Sequence, residues 1–184
     1  HYLRRTQPRR GGIEVELAGA RLATEGDAAG LIAFLNRSRS GADGYILLDG
    51  PLWRWRRHMR PESLPVQTRL VEEDGRPVAC GALCRAPIVG RERPAWVLAD
   101  WALGAEGKGC AHLEGLIAAV PPGDEVIVLC AESDRQNLAL LESAGFAASG
   151  SEIAMVLPLA AGLEDDLVAP GHPWYVLVES VIGV

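Results

Sequence analysis

The 184-residue chain predicts one α+β domain of three layers, a mixed sheet with helices on both faces. Three observations carry that expectation. Hydrophobicity of period two and of period 3.6 alternates along most of the chain, so strands and helices alternate too. An Asp74-Gly75 pair between two apolar runs marks an antiparallel hairpin, and Glu125 to Ala131 is the nearly continuous apolar run of a strand covered on both sides.

In chain order, residues 1–12 read as a basic, disordered tail and 13–184 as the domain. Ile13 to Ala23 alternates as a strand, and Thr24 with Asp27 has the spacing of a helix start before Ala28, Leu31, Ile32 and Leu35. That helix should end near Asn36. Leu52, Trp55 and Met59 suggest a short second helix with the tryptophan and methionine inward and Arg54, Arg56, Arg57 and Arg60 outward. Val66 to Val71 and Val78 to Cys84 are the hairpin strands. Ala95 to Leu103 is a strand, and a glycine-rich turn leads from it into a helix carrying Cys110, Leu113, Ile117 and Val120 on one face and ending at Pro121-Pro122-Gly123. After the central strand, Ser133 and Gln136 open a last helix that Gly145 stops. Ile153 to Leu159 and Trp174 to Ile182 complete the strands, the latter as an extra C-terminal strand from about residue 172.

Composition excludes several classes. With 48% hydrophobic and 23% charged residues the chain can bury a full core, and it has no apolar run long enough to span a bilayer. Net charge is −6, or −10 once Arg4, Arg5, Arg9 and Arg10 are set aside, which argues against a nucleic-acid binder. The expectation is a soluble cytoplasmic protein with neither nucleic-acid nor membrane partners. Cys80, Cys84, Cys110 and Cys130 form no metal-ligand pattern and read as buried structural thiols in a reducing compartment, so no metal is expected.

Chemistry concentrates in the turn Gly104 to Gly109. Glycines at 107 and 109 allow close backbone approach, and the following helix directs free N–H groups and its positive dipole end at the turn, which suits a phosphate. Two phosphate motifs fail here. Gly109 stands where a P-loop needs Ser or Thr, and His112 stands where the dinucleotide fingerprint needs its third glycine. Lys108, the one lysine among 18 basic residues, lies in this turn.

The element order, the Glu106-Gly107-Lys108-Gly109-Cys110-Ala111 turn, Asn137 and the Gly145-Phe146 helix end together resemble the GNAT superfamily of acyl-coenzyme A N-acyltransferases over residues 13–159. That resemblance implies a mostly antiparallel sheet splayed between two central parallel strands, here Ala95 to Leu103 and Glu125 to Ala131. It implies acetyl-CoA as co-substrate, with Leu103, Gly107, Lys108, Gly109, Cys110, Ala111, His112 and Asn137 as cofactor contacts. The acceptor would be an amine of a small molecule or peptide, attacked in a ternary complex.

Two positions depart from the family pattern. Glu106 replaces Gln or Arg, and Leu141 replaces the tyrosine that many members use as an acid. Asp100, a carboxylate inside an apolar strand, is the candidate base, and Tyr175 a candidate acid in place of that tyrosine. The competing expectation is a GNAT-fold module that has lost catalysis and serves binding or dimerisation, and a homodimer is compatible with either.

Overall fold

Two residues fix the register at the middle of the sheet. Asp74 (φ 50°) and Gly75 (φ 70°) both adopt the left-handed conformation of a tight hairpin turn, joining β3 (Val66–Glu73) to β4 (Arg76–Ala86) with Glu73 opposite Arg76. The computed structural model describes residues 1–7, 19–42, 45–59, 62, 65–87, 93–104 and 108–150. In chain order the remaining described elements are β1 (Tyr2–Thr6), β2 (Arg21–Leu22), α1 (Ala28–Arg39), α2 (Gly50–His58), β5 (Ala95–Leu103), α3 (Gly109–Ile117), β6 (Glu125–Leu129), α4 (Arg135–Ser143) and β7 (Ala147–Gly150). They form one sheet in the order β2-β3-β4-β5-β6-β1-β7. Its pairs are antiparallel except β5 with β6, so the sheet is mixed as expected.

Each face buries a separate apolar set. Leu31, Phe34, Leu35, Leu48 and Trp53 from the α1 and α2 side cover Leu70, Cys80 and Ala102. On the other face Leu113 and Ile117 of α3 and Leu141 of α4 cover Leu3, Leu83, Leu98, Trp101, Val126 and Val128. Each such side chain taken from water contributes about 1.5–3 kcal/mol, so these two layers hold the helices in place.

The helix ends follow local chemistry. The Asp27 carboxylate accepts from the Thr24 N–H (2.6 Å) and hydroxyl (2.8 Å), closing the turn that leads into α1. Arg21 pairs with Asp27 at 2.7 Å and with Glu72 at 2.8 Å, and its guanidinium, with the Thr24 bonds, holds the Asp27 carboxyl well below the usual carboxylate range. α4 begins one residue later than the Ser133 and Gln136 spacing implies, because Asp134 accepts from the Asn137 N–H. It ends as predicted at Gly145 (φ 81°), where Gly145 N–H donates to Glu142 O and Phe146 N–H to Leu141 O.

Three expectations are corrected. Residues 2–6 are not part of a disordered tail: they form β1, antiparallel to both β6 and β7, with Leu3 buried. Arg5 of the same strand pairs with Glu114 and donates to Ala144 O, so its charge is answered at the strand's flank. On α2 the amphipathic assignment is reversed. Trp55 and Met59 are exposed, while Trp53, Arg56 and Arg57 face inward. Cys110 is exposed rather than buried. Of the expected strand 13–23 the described end forms β2 at Arg21–Leu22, and 13–18, the expected strands at 153–159 and 174–182, and Tyr175 lie outside the described residues.

The thiols therefore differ in reactivity. Burial pushes the Cys80 and Cys130 thiols up to about 12, which keeps them protonated at neutral pH, and Cys84 is also buried. Iodoacetamide should label native protein at Cys110 alone, as peptide mass mapping would show; modification of Cys80 before unfolding would contradict this packing.

Candidate functional site

The sheet opens where its parallel pair ends. β5 and β6 are in register from Trp96 with Val126 to Leu98 with Val128, and no pairing follows although β5 runs on to Leu103. Each strand keeps its outer neighbour beyond that point: β5 pairs β4 as far as Leu103 with Ala79, and β6 pairs β1 through Leu129 with Tyr2. The result is a V whose mouth lies at the carboxyl ends of two parallel strands. α3 and α4 are the next described helices after those strand ends, beginning at Gly109 and Arg135.

Backbone direction shows what the V offers. The Gly104 N–H donates to Val78 O on β4 at 2.7 Å. By period-two alternation the main-chain groups of Ala102 also face β4, and those of Trp101 and Leu103 face the opening. Strand groups turned into such a gap can take an extended, amide-bearing ligand as they would another strand.

A bulge shapes the same stretch. Asp100 and Trp101 together oppose the single Gly81, since Ala82 pairs Ala99 and Cys80 pairs Ala102. Asp100 takes φ 44°, a conformation that aspartate tolerates better than most residues. The space opposite the bulge is tight: a Cβ on Gly81 would lie 2.7 Å from Leu98 Cδ1 and 3.4 Å from Trp101 Cβ, so Leu98 would have to shift. The extra residue sends Asp100 to the α2 side while Leu98 and Trp101 stay on the α3 side.

There Asp100 meets two guanidiniums. Arg57 Nη2 donates to its Oδ2 at 2.7 Å and Arg56 Nη1 lies 3.4 Å from Oδ1, with all three side chains buried. Arg57 also stacks over Trp53, 4.8 Å from the ring centre. Asp100, the candidate base, is thus paired with two guanidiniums where the bulge sits. Tyr45, missed from the sequence, belongs to this side. Its hydroxyl donates to Asn36 Oδ1 at 2.8 Å, and burial together with the Asp100 charge pushes the phenol up to about 12.

The glycine-turn residues lie apart from this cluster, at the first turn of α3. Gly107 and its neighbours 105 and 106 are outside the described residues. Lys108 Nζ donates to Glu73 Oε1 at 2.7 Å, and buried His112 places Nε2 3.5 Å from the same oxygen while its Nδ1 has no hydrogen-bond partner among the described residues. The Lys108 hydrogen bond is the main reason that Glu73 sits below the usual carboxylate value. Gly109 serves packing as well as any ligand, because a Cβ there would collide with Leu140 of α4. Cys110 Sγ lies 3.2 Å from Ser143 Oγ, Ala111 is exposed, and half-buried Leu103 packs against the α3 and α4 core. Asn137 Nδ2 donates to Asp134 Oδ2 at 2.7 Å. Arg39, also missed, crosses between the two groups: Nη2 donates to Trp101 O at 2.5 Å and Nη1 lies 3.5 Å from Asp134 Oδ2.

No protein-family model and no curated protein sequence matches the chain. Solved structures do. An acetyltransferase from Trypanosoma brucei superposes with a TM-score of 0.55 at 20% identity, covering 75% of this chain and 98% of that one. A GNAT-family acetyltransferase from Streptococcus pneumoniae gives 0.53 at 21% identity over 72% and 86%. This chain has the GNAT fold. A predicted acetyltransferase with acetyl-CoA from Clostridium acetobutylicum shares the GNAT fold too, at TM-score 0.53 and 15% identity over 75% of this chain and 95% of its own. At these identities the likeness establishes the architecture, and the chemistry has to be argued from the cleft. No described helix is long and apolar enough to cross a membrane.

Proposed function

We propose that the chain is an acyl-coenzyme A dependent N-acyltransferase moving an acetyl group to an amine on a small molecule or peptide. The observation that carries this reading is the parting of β5 and β6 after Leu98 and Val128, with the Trp101 and Leu103 main chain turned into the gap. A pantetheine arm has amide N–H and C=O groups spaced to pair there, and the α3 N-terminus would receive the pyrophosphate.

In the reaction the amine nitrogen attacks the thioester carbonyl carbon, the C–S bond breaks, and the acetyl group forms an amide. Coenzyme A departs as thiolate and takes up a proton, while the nitrogen loses one. Strand N–H groups at the gap would polarise the carbonyl, and rate enhancement would come mainly from orientation and fixed dipoles. Asp100 acts at one remove, by holding the bulge that aims Trp101. With that carboxylate ion-paired, the proton that the acceptor ammonium gives up to become the attacking amine is assigned to solvent. The four free cysteines fit a reducing, cytoplasmic setting.

Calorimetric titration with acetyl-CoA, followed by a coenzyme A release assay across a panel of amines, tests the proposal. Saturable one-site binding and amine-dependent release are expected; no binding at millimolar acetyl-CoA would overturn it.

One feature favours the alternative of a noncatalytic binding or dimerisation module: Glu73 already supplies an anion to Lys108 where the pyrophosphate would lie. Glu73→Gln separates the two readings. Under the enzyme reading it takes the Glu73 charge away from Lys108 and should tighten acetyl-CoA binding about two- to fivefold at low salt, less at high salt. Unchanged binding would remove Lys108 from the cofactor site.

A further inference from the structure

We propose that Arg39 is a latch tying the two lips of the cleft together, and that the amide-bearing arm of acyl-coenzyme A must displace it. The inference rests on the acyl-coenzyme A reading above and goes beyond it by making admission of the cofactor a competition within the protein.

The latch has two attachments on opposite sides of the V. On the β5 side the guanidinium donates to the Trp101 carbonyl at 2.5 Å and lies 5.4 Å from the centre of the Trp101 ring. That carbonyl is one of the groups turned into the opening. On the β6 side the same guanidinium lies 3.5 Å from Asp134, the cap of α4. The Arg39 side chain is only 12% exposed, so both contacts are largely shielded from water and stronger than surface contacts. Arg39 is the last residue of α1, and a side chain at a helix end can swing away without unwinding the helix.

The consequence is a gated site. A pantetheine N–H that donates to the Trp101 carbonyl has to compete with Arg39 Nη2 for that oxygen. The cofactor therefore binds only the fraction of molecules with the latch released, and its apparent affinity is lowered by that fraction. Asp134 has a second role in this scheme. It also accepts from Asn137 Nδ2, so release of Arg39 changes the surroundings of the expected second cofactor contact.

Stopped-flow binding of acetyl-CoA to the full chain, followed by tryptophan fluorescence, tests the latch in the wild type, Arg39→Gln and Asp134→Asn. The asparagine keeps an oxygen to cap α4, so that variant detaches one arm and leaves the helix start supported. Arg39→Gln should bind about tenfold tighter, with the gain in the association rate constant, and Asp134→Asn should move the same way by less. A purely structural arginine would lower thermal stability and leave association unchanged. Equal or slower association in both variants, with acetyl-CoA still bound, overturns the latch and spares the acyl-coenzyme A reading. Absence of binding in all three proteins overturns that reading, and the latch with it.

Discussion

Asp100→Ala is expected to destabilise the protein by about 3–5 kcal/mol, because it leaves the buried Arg56 and Arg57 without the carboxylate they share. The loss has a second source in the backbone. Alanine at φ 44° gives up the local hydrogen bonding that lets aspartate occupy this region, which adds about 1 kcal/mol. Asp100→Asn keeps the conformational tolerance and an acceptor oxygen but loses the charge, so it should fall between the wild type and alanine. Urea unfolding followed by circular dichroism measures all three. If Asp100→Ala unfolds at the wild-type midpoint, the two arginines do not depend on this carboxylate and the bulge has another anchor.

Gly81→Ala should cost about 1–3 kcal/mol and weaken acetyl-CoA binding in the same variant. The added methyl would press on Leu98, Trp101 and Leu116, the first two flanking the bulge on β5. Relief requires Leu98 to move, and Leu98 is the last residue of β5 still paired with β6. A change there shifts the apex of the V, so stability and ligand binding should fall together. Lost stability with unchanged affinity would separate the bulge from the cleft. At Gly109 the obstacle is likewise the end of a leucine side chain, but Leu140 is half-buried and has room to turn aside, whereas Leu98 is fully buried.

Much of this architecture was legible because short-range chemistry dictates it. The Asp74-Gly75 turn, the Gly145 stop and the strand Ala95 to Leu103 depend on residues close in sequence, and each stands where its own neighbours place it. What was not legible depends on partners far along the chain. Tyr2 to Thr6 carries two arginines and one buried leucine, too little pattern for a strand, and becomes one through β6 and β7, some 120 to 150 residues away. The inward turn of Arg56 and Arg57 has the same origin. An unbroken period-two strand would put Asp100 on the α3 face, and only the bulge brings it to α2, where burying two guanidiniums becomes favourable.

Within the site, the sequence identified Asp100 as a residue needing partners but not which partners would claim it. A lone carboxylate in an apolar strand, 43 residues after an arginine pair, was the available signal. Arg39 lay just past the expected end of α1. Its role appears only once that helix runs through Arg39 and the guanidinium reaches both Trp101 and Asp134. Glu73 was similarly hidden, a hairpin-end residue whose carboxylate comes to face the first turn of α3 only through the fold.

On the proposed function, the gap between β5 and β6 takes an acyl-coenzyme A arm as a strand-like partner. Amide hydrogen exchange with and without saturating acetyl-CoA tests it most directly, because the Trp101 and Leu103 N–H groups face the gap rather than β4. The account predicts that these two amides become strongly protected, with protection also at the first turn of α3 and little change in the β3–β4 hairpin. Unchanged exchange at Trp101 and Leu103 while acetyl-CoA is bound would place the ligand elsewhere and contradict the account.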